Sequence, residues 1–351
     1  MNDALRLEPR GWQPATRRRL ERLIRTGPGR HRSAAFDFDN TLVCGDIGEA
    51  TLALLARDGL IRAEHLAPHI APEFRSSGGQ RISPRSGADL TDYYEAFLDP
   101  TAHGGLDPTP LANGYVWAAT VMQGLSVQDV ARATREVWRL SRPGRNTFIA
   151  TAPGRTGYPV PFFYPEMVDL LAVLLESGFD VWIVSASNVW SVRWMVVEAL
   201  NPLLRSRGAR MPIRPDHVIG VSTLLLDRQE RFHKDPVLVR TDPAYADMNM
   251  RTLARFRLSD QIQFPAPVYS GKVAALWDAI GQPPFLAAGD SPGDLPMLTF
   301  ATNRLWIARS NKPGYQAAMS AARQAAGAQN WLIQPTETAE QPGFKPELGL
   351  V

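Results

Sequence analysis

The stretch Phe36-Asp37-Phe38-Asp39-Asn40-Thr41-Leu42 closes a short apolar run, residues 34–38, that reads as a buried strand. Side chains alternate along a strand, so two carboxylates placed two residues apart point into the same crevice. Carboxylates in such an arrangement can bind a hard divalent cation or exchange protons with a substrate. The first strand of the fold is therefore predicted to end in a functional site.

Three further apolar runs, 181–184, 217–221 and 285–288, read as strands of the same kind. Apolar helical patterns lie between them, such as 165–175, which stops before Gly178. Continuous apolar strands that alternate with helices indicate a parallel sheet covered on both faces. The predicted fold class is α/β, with a doubly wound, Rossmann-like parallel sheet whose site lies at the carboxyl ends of the strands.

The first two strands are separated by roughly 140 residues, far more than a simple crossover needs. This stretch carries helical patterns at 49–56, 90–97 and 127–140. We predict a catalytic core formed by residues 1–45 and 160–351 and a mainly helical cap domain inserted at 46–159. A second excursion, 223–267, predicts a β-hairpin with a mobile tip, and residues 335–351 predict a loosely ordered tail.

Polar residues follow the other strands as well. Ser185 comes after the second strand, and Gly289-Asp290-Ser291-Pro292-Gly293-Asp294 follows the last. Lys272 opens a helical pattern, 273–280, just before that last strand. Each of these residues alone is typical of an ordinary turn or helix start. Their occurrence in one chain order at successive element ends favours a shared active site.

This ordered set resembles the motifs of the haloacid dehalogenase superfamily, in its phosphatase branch with a helical cap. The resemblance covers about residues 31–45 and 160–310. Within the branch the chain looks like phosphoserine phosphatases and phosphorylcholine phosphatases. The segments that are similar to the second group are Asp39-Asn40-Thr41-Leu42, Gly45-Asp46-Ile47-Gly48-Glu49 and Ser185-Ala186-Ser187.

The resemblance implies a Mg²⁺-dependent phosphomonoester hydrolase that works through an aspartyl-phosphate. Asp37 would be the nucleophile, and Asp39 would protonate the leaving oxygen and later activate water. The implied metal ligands are Asp37, Asp290 and the backbone carbonyl of Asp39, with Asp294 orienting the ligands. The implied phosphate-binding residues are Ser185, Lys272, Asn40 and Thr41.

The cap is expected to choose the substrate, which we predict to be a small, amine-bearing phosphorylated metabolite. Asp46 stands nine residues after Asp37, where phosphoserine phosphatases carry an acid for the substrate ammonium, and Glu49 could share that role. Aromatic faces could bind a quaternary ammonium, although clustered aromatics more often form a core. The candidate rings are Tyr93, Tyr94, Tyr115 and Trp117. Two alternatives stay open: a phosphotransferase of the same fold, and a catalytically silent binding protein.

The composition of the chain indicates its class of protein, its location and its partners. The chain has 351 residues with 44% hydrophobic and 21% charged residues, which is ordinary for a globular protein. A single cysteine, Cys44, excludes an internal disulfide framework and fits a cytoplasmic location. The net charge is only +3, and no apolar run approaches the roughly 20 residues of a membrane span, so neither nucleic acid nor membrane is an expected partner. The oligomeric state stays open.

Overall fold

The computed structural model describes residues 6–27, 32–67, 69–70, 73–76, 78–83, 90–98, 114–151 and 157–347. The strands in these residues, numbered in chain order, are β1 Arg32–Phe36, β2 Val43–Cys44, β3 Phe74–Arg75, β4 Arg81–Ile82, β5 Phe148–Ile149, β6 Tyr158–Pro159, β7 Phe162–Phe163, β8 Phe179–Asn188, β9 Val218–Val221, β10 Thr223–Leu226, β11 Phe232–His233, β12 Arg257–Ile262, β13 Leu286–Gly289, β14 Asn303–Arg309, β15 Trp331–Glu337 and β16 Gly343–Phe344. The helices are α1 Pro14–Thr26, α2 Ile47–Arg57, α3 Leu90–Leu98, α4 Gly114–Thr120, α5 Val127–Arg139, α6 Pro165–Glu176, α7 Val189–Trp194, α8 Asn201–Ser206, α9 Asp235–Thr241, α10 Pro243–Ala246, α11 Met250–Leu253, α12 Gly271–Ile280, α13 Leu295–Phe300 and α14 Pro313–Ala325.

A seven-stranded sheet forms the centre of the fold, in the order β16-β15-β14-β13-β1-β8-β9. Every neighbouring pair is parallel except β15 and β16, which are antiparallel. Alternate residues of the strands enter two separate hydrophobic clusters, so both faces of the sheet are covered. Helices α1 and α6 pack on one face, and α12, α13 and α14 pack on the other. The predicted fold class is confirmed.

The four predicted strands are all present, with shifted ends. Strand β1 ends at Phe36 rather than at residue 38, because its pairing with β8 and β13 stops there. Asp37 is the first residue beyond the strand, and its backbone N–H donates to the carbonyl of Ala288, 2.9 Å away. The backbone of Asp37 is therefore held to β13 at the point where β1 ends.

The prediction of a loose tail over 335–351 is wrong for the part that the structure describes. Strand β15 continues through Pro335 to Glu337, and β16 pairs with it. Phe344 is buried, with its ring 5.0 Å from that of Trp12 and 4.9 Å from that of Tyr164. The burial of this aromatic ring between two others holds the segment on the sheet. Residues 348–351 lie outside the described part of the chain.

The predicted cap region, 46–159, contains α2 to α5 and two short antiparallel pairs, β3 with β4 and β5 with β6. The predicted helices 49–56, 90–97 and 127–140 coincide with α2, α3 and α5 to within three residues at each end. Residues 99–113 lie outside the described residues. The division into core and cap stays a prediction, since one hydrophobic cluster runs through residues of both.

The second excursion forms a three-stranded antiparallel sheet, β11-β10-β12, rather than a simple hairpin. The predicted tip contains the three short helices α9, α10 and α11, anchored by the fully buried Tyr245 and Leu253. Strand β12 also bonds to the chain just before α5. The N–H of Gly124 donates to the carbonyl of Leu258, and the N–H of Leu258 donates to that of Leu125, each at 2.9 Å.

Among the described helices, none has the length and apolar character that a membrane crossing requires.

Candidate active site

Three buried carboxylates meet at the carboxyl edge of the main sheet. Asp37 follows β1, Asp290 follows β13, and Asp294 lies four residues further, just before α13. One oxygen of each carboxylate lies within 4.8 Å of the others. All three line a cavity of about 410 Å³. The sheet topology thus brings together the acids that the sequence placed at two strand ends.

Lys272, the second residue of α12, joins two of these acids. Its Nζ donates to Asp37 Oδ1 at 2.7 Å and to Asp294 Oδ1 at 2.6 Å. Burial alone would lower the pKa of this lysine, but the carboxylates of Asp294 and Asp37 raise it above its ordinary value. The pKa of Asp37 is raised to about 7, by burial and by the charge of Asp294, while Lys272 opposes the rise. The lysine is a fixed cation inside the acidic cluster.

Arg309, at the end of β14, supplies a second cation that the sequence analysis missed. One guanidinium nitrogen, Nη2, lies 2.7 Å from Asp290 Oδ2, and only 11% of the arginine side chain is exposed. Burial raises the pKa of Asp290 to about 8, although Arg309 opposes the rise. The sequence does carry a signal, since the apolar run 305–308 ends in Arg309 just as the other strands end in polar residues.

Asp39 lies on a different wall and has different partners. Its Oδ1 accepts the backbone N–H of Ile47 at 2.8 Å, at the start of α2. Its Oδ2 accepts the hydroxyls of Ser187 at 2.7 Å and Ser185 at 3.0 Å. Burial and the charge of Asp46 raise the pKa of Asp39 to about 8. A carboxyl with this pKa is protonated at neutral pH and can donate its proton.

Ser187 was not predicted as a site residue. Ser187 lies two residues after Ser185 on β8, so the two side chains point to the same face of the strand. Both hydroxyls donate to Asp39 Oδ2. Ser185 Oγ also accepts the N–H of Ser187 at 2.9 Å. The two hydroxyls hold Asp39 from the side of β8.

Asn40 and Thr41 were both predicted to bind phosphate. Their side chains form hydrogen bonds within the segment that follows β1. Thr41 is fully buried, and its hydroxyl donates to Asp37 Oδ2 at 2.8 Å. Asn40 has a left-handed backbone, with φ at 56°, and its side-chain oxygen accepts the N–H of Gly45 at 3.3 Å. This turn lies between β1 and β2, ahead of α2. Phosphate binding by Asn40, Thr41 and Ser185 stays a prediction.

Asp46 and Glu49 both belong to α2. Asp46 is the N-cap of the helix, with Oδ1 accepting the N–H of Glu49 at 2.8 Å, and it lines the cavity beside Asp39. Glu49 accepts the hydroxyl of Tyr94 at 3.4 Å. Burial and the charge of Asp39 raise the pKa of Glu49 to about 7, and burial and the charge of Glu49 raise the pKa of Asp46 well above its ordinary value.

The aromatic residues of the cap separate into two groups. Tyr93, Tyr94 and Trp117 pack against one another in the hydrophobic core, with ring centroids 5.0 and 6.1 Å from that of Trp117. Tyr115 lines the cavity, together with Tyr269 and Tyr315.

The chemistry of the acidic cluster fits Mg²⁺. Buried carboxylate oxygens from Asp37, Asp290 and Asp294 are hard donors that lie within 4.8 Å of one another. Asp290 Oδ2 is buried, accepts no well-aligned hydrogen bond from the described residues and lies 2.7 Å from the Arg309 guanidinium, so this oxygen already faces a positive charge. The carboxylate of Asp39 is not in this cluster and bonds to Ser185 and Ser187 instead.

No protein-family model matches the chain, and a search of curated proteins gives no match. Solved structures do match. A conserved protein of unknown function from Anaerococcus prevotii DSM 20548 is 17% identical, covering 99% of this chain and 98% of its own, with a TM-score of 0.64. This likeness shows that the two chains share a fold along their whole length.

Two further solved structures are less similar to this chain, and nothing about its function follows from them. A protein of unknown function from Bordetella pertussis Tohama I is 16% identical over 87% of this chain and 98% of its own, with a TM-score of 0.47. A phosphoserine phosphatase, solved as an analogue of its phospho-aspartyl intermediate, is 12% identical over 83% of this chain and 91% of its own, with a TM-score of 0.39.

Proposed function

We propose that this chain is a Mg²⁺-dependent phosphomonoester hydrolase of the haloacid dehalogenase type, acting through a phosphorylated Asp37. The observation that carries the proposal is the placement of Asp37. It is bonded to Lys272 and Thr41 beside two further acids, and a protonatable Asp39 lines the same cavity. Phosphoryl transfer needs these components: a nucleophile, positive charge near the phosphoryl oxygens, and a proton donor for the leaving group.

In the first half of the reaction, a carboxylate oxygen of Asp37 attacks phosphorus while the bond to the ester oxygen breaks. Asp39 gives its proton to that oxygen, so the alcohol leaves neutral. In the second half, Asp39 takes a proton from water as the water attacks phosphorus, the bond to Asp37 breaks, and inorganic phosphate is released. The water proton restores Asp39 to its starting state.

Lys272 places its ammonium group beside the nucleophile, where the phosphoryl charge must be stabilised. A Mg²⁺ ion held by Asp37, Asp290 and Asp294 would supply further positive charge at the phosphoryl group. Ser185 and Ser187 hold the Asp39 carboxyl in place during both proton transfers.

For the substrate we propose a small metabolite that bears an amine, of the phosphoserine or phosphocholine type. The carboxylate of Asp46 lines the cavity close to Asp39 and is bonded only to backbone N–H and hydroxyl groups in the described chain, so it can accept a substrate ammonium.

The test is an assay of p-nitrophenyl phosphate hydrolysis with Mg²⁺ and with excess EDTA. We expect turnover only with the metal. Asp37→Asn should lower kcat at least about 1,000-fold, because an amide cannot attack phosphorus. Circular dichroism should show the variant folded like the wild type. Full activity in EDTA would remove the metal assignment, and an active Asp37→Asn variant would exclude the covalent mechanism.

A further inference from the structure

Arg309 lies in the proposed active site but has no role in the reaction as described above. It lines the same cavity as Asp37 and Lys272, and its Nη2 lies 2.7 Å from Asp290 Oδ2. The guanidinium carbon lies 5.3 Å from the centre of the Tyr315 ring, which gives the group a second contact. Its Nε is buried and has no hydrogen-bond partner among the described residues. The guanidinium therefore keeps unused donor capacity next to the reacting groups.

Asp290 is also one of the three acids suited to the metal. The oxygen that faces Arg309 accepts no hydrogen bond of good geometry from the described residues, so this contact is an ion pair. A divalent cation bound to Asp290 would neutralise the charge on which Arg309 depends. A nearly buried guanidinium that loses its counter-ion is costly unless another anion replaces it. The phosphoryl group of a substrate in the same cavity is such an anion.

We propose that Arg309 competes with the divalent cation for Asp290 in the substrate-free enzyme and turns to the phosphoryl group when both metal and substrate are bound. This inference rests on the proposed function and deepens it. Arg309 then couples two binding events: phosphate strengthens metal binding, and by reciprocity the metal strengthens phosphate binding to the same extent.

The proposal predicts effects of opposite sign from one substitution. Arg309→Gln removes the competing cation, so Mg²⁺ alone should bind more tightly. The same substitution removes a phosphoryl contact, so kcat/KM should fall. A residue that only supported the fold would weaken both metal binding and catalysis.

The first measurement is isothermal titration calorimetry with MgCl₂, with and without inorganic phosphate. In the wild type, phosphate should strengthen Mg²⁺ binding about tenfold. In Arg309→Gln, Mg²⁺ alone should bind about tenfold more tightly, and the effect of phosphate should shrink to about threefold or less. Arg309→Lys, which keeps one positive charge, should fall between the two proteins. The matched control is Arg304→Gln, at the other end of β14, with wild-type Mg²⁺ binding expected.

The second measurement is hydrolysis of p-nitrophenyl phosphate at saturating Mg²⁺. Arg309→Gln should lose about 30-fold in kcat/KM, with partial recovery in Arg309→Lys. Unchanged or weaker Mg²⁺ binding in Arg309→Gln, when the wild type binds Mg²⁺ and is active, overturns this inference alone. A wild type that binds no Mg²⁺ overturns both this inference and the metal assignment. If neither variant folds, absence of coupling between phosphate and Mg²⁺ in the wild type overturns the inference, and its presence supports it.

Discussion

Two groups of acids lie at or beside one cavity and differ in their burial and in their partners, since the first group is buried and the second is half-buried. The metal-side carboxylates, Asp37, Asp290 and Asp294, are each paired with Lys272 or Arg309. The cap-side carboxylates are Asp39, Asp46 and Glu49. In the described chain they are bonded to hydroxyl groups and backbone N–H groups, with no ion pair.

The difference separates two kinds of chemistry that a single cavity must support. Cations beside the metal-side carboxylates favour their charged form, and a bound Mg²⁺ would favour it further. Without a metal, burial raises the pKa on both sides, to about 7 for Asp37 and about 8 for Asp290, and to about 8 for Asp39 and about 7 for Glu49. Of the two groups, only the metal-side acids have an ion-pair partner among the described residues. A Mg²⁺ ion on the metal side would therefore keep Asp37 and Asp290 charged, while Asp39, outside the metal cluster, could keep its proton.

The largest effect should come from removing the cation of the metal side. Lys272→Met leaves Asp37 and Asp294 buried without their shared partner. We expect a loss of kcat of at least about 1,000-fold, together with a loss of roughly 3–5 kcal/mol in unfolding free energy. Activity assays and urea unfolding measure the two effects. Lys312→Met, an exposed lysine on the rim near Tyr315, serves as the control and should change neither. Wild-type activity in Lys272→Met would show that the acids of the metal side do not need this cation.

The next effect tests the proton on the cap side. Asp39→Asn cannot donate a proton, so esters with poor leaving groups should lose about 100- to 1,000-fold in rate. p-Nitrophenyl phosphate needs little protonation, so its first step should suffer less and the phosphorylated enzyme should accumulate. Intact-mass measurement after acid quench detects that species. Equal losses for good and poor leaving groups, with no phosphoenzyme, would remove Asp39 from this role.

A smaller effect is expected from Asp46→Asn, which tests substrate choice. Asparagine is as good an N-cap as aspartate, so α2 should keep its first turn. kcat/KM for phosphocholine and phosphoserine should fall about tenfold, because a substrate ammonium beside Asp46 favours the charged form of its carboxyl, and asparagine cannot carry that charge. p-Nitrophenyl phosphate has no ammonium and should change by less than about twofold. A uniform loss for all three esters would assign Asp46 a structural or catalytic role instead.

The smallest effect concerns pH and the stability of the metal-free protein. The pKa of Asp39 is raised from 3.8 to about 8, so between these values the folded state holds a proton that the unfolded state has lost. Stability should therefore fall as the pH rises across this window. In EDTA, we expect the melting temperature to be a few degrees lower at pH 8 than at pH 5. Asp37, Asp290 and Glu49 contribute to the same dependence, so Asp39→Asn should make it less steep without removing it. An equally steep dependence in the variant would contradict the assignment of Asp39.

The sequence predicted the sheet and the residues at its edge because those signals are local. Apolar runs identify buried strands, and the polar residue after each run marks a strand end. Arg309 was not predicted as a site residue, because its role depends on which strands are neighbours in the sheet. Its strand follows the last recognised motif, so nothing indicated that β14 lies next to β13 and brings the arginine to Asp290.

In the second excursion, residues 223–267, the strands could be predicted from the sequence but the helices could not. Its alternating residues 255–258 predicted antiparallel strands, which are present. Its helices α9, α10 and α11 are too short to produce a clear helical period. The roles of Asp46 and Glu49 could not be fixed from their spacing either. An acid at the start of a helix can cap the helix or bind a ligand, and its position in the sequence does not separate the two roles. Asp46 caps α2 and also lines the cavity.

The backbone bonds between β12 and the chain before α5 have a consequence for motion. Gly124, Val127 and Leu258 each donate an N–H across this junction. Any displacement of α5 relative to the sheet must either break these bonds or carry β12 with it. The start of α5 and strand β12 are thus expected to move together. Their amide protons at the junction should exchange with solvent together, at one shared rate of opening, rather than as two independently fluctuating segments.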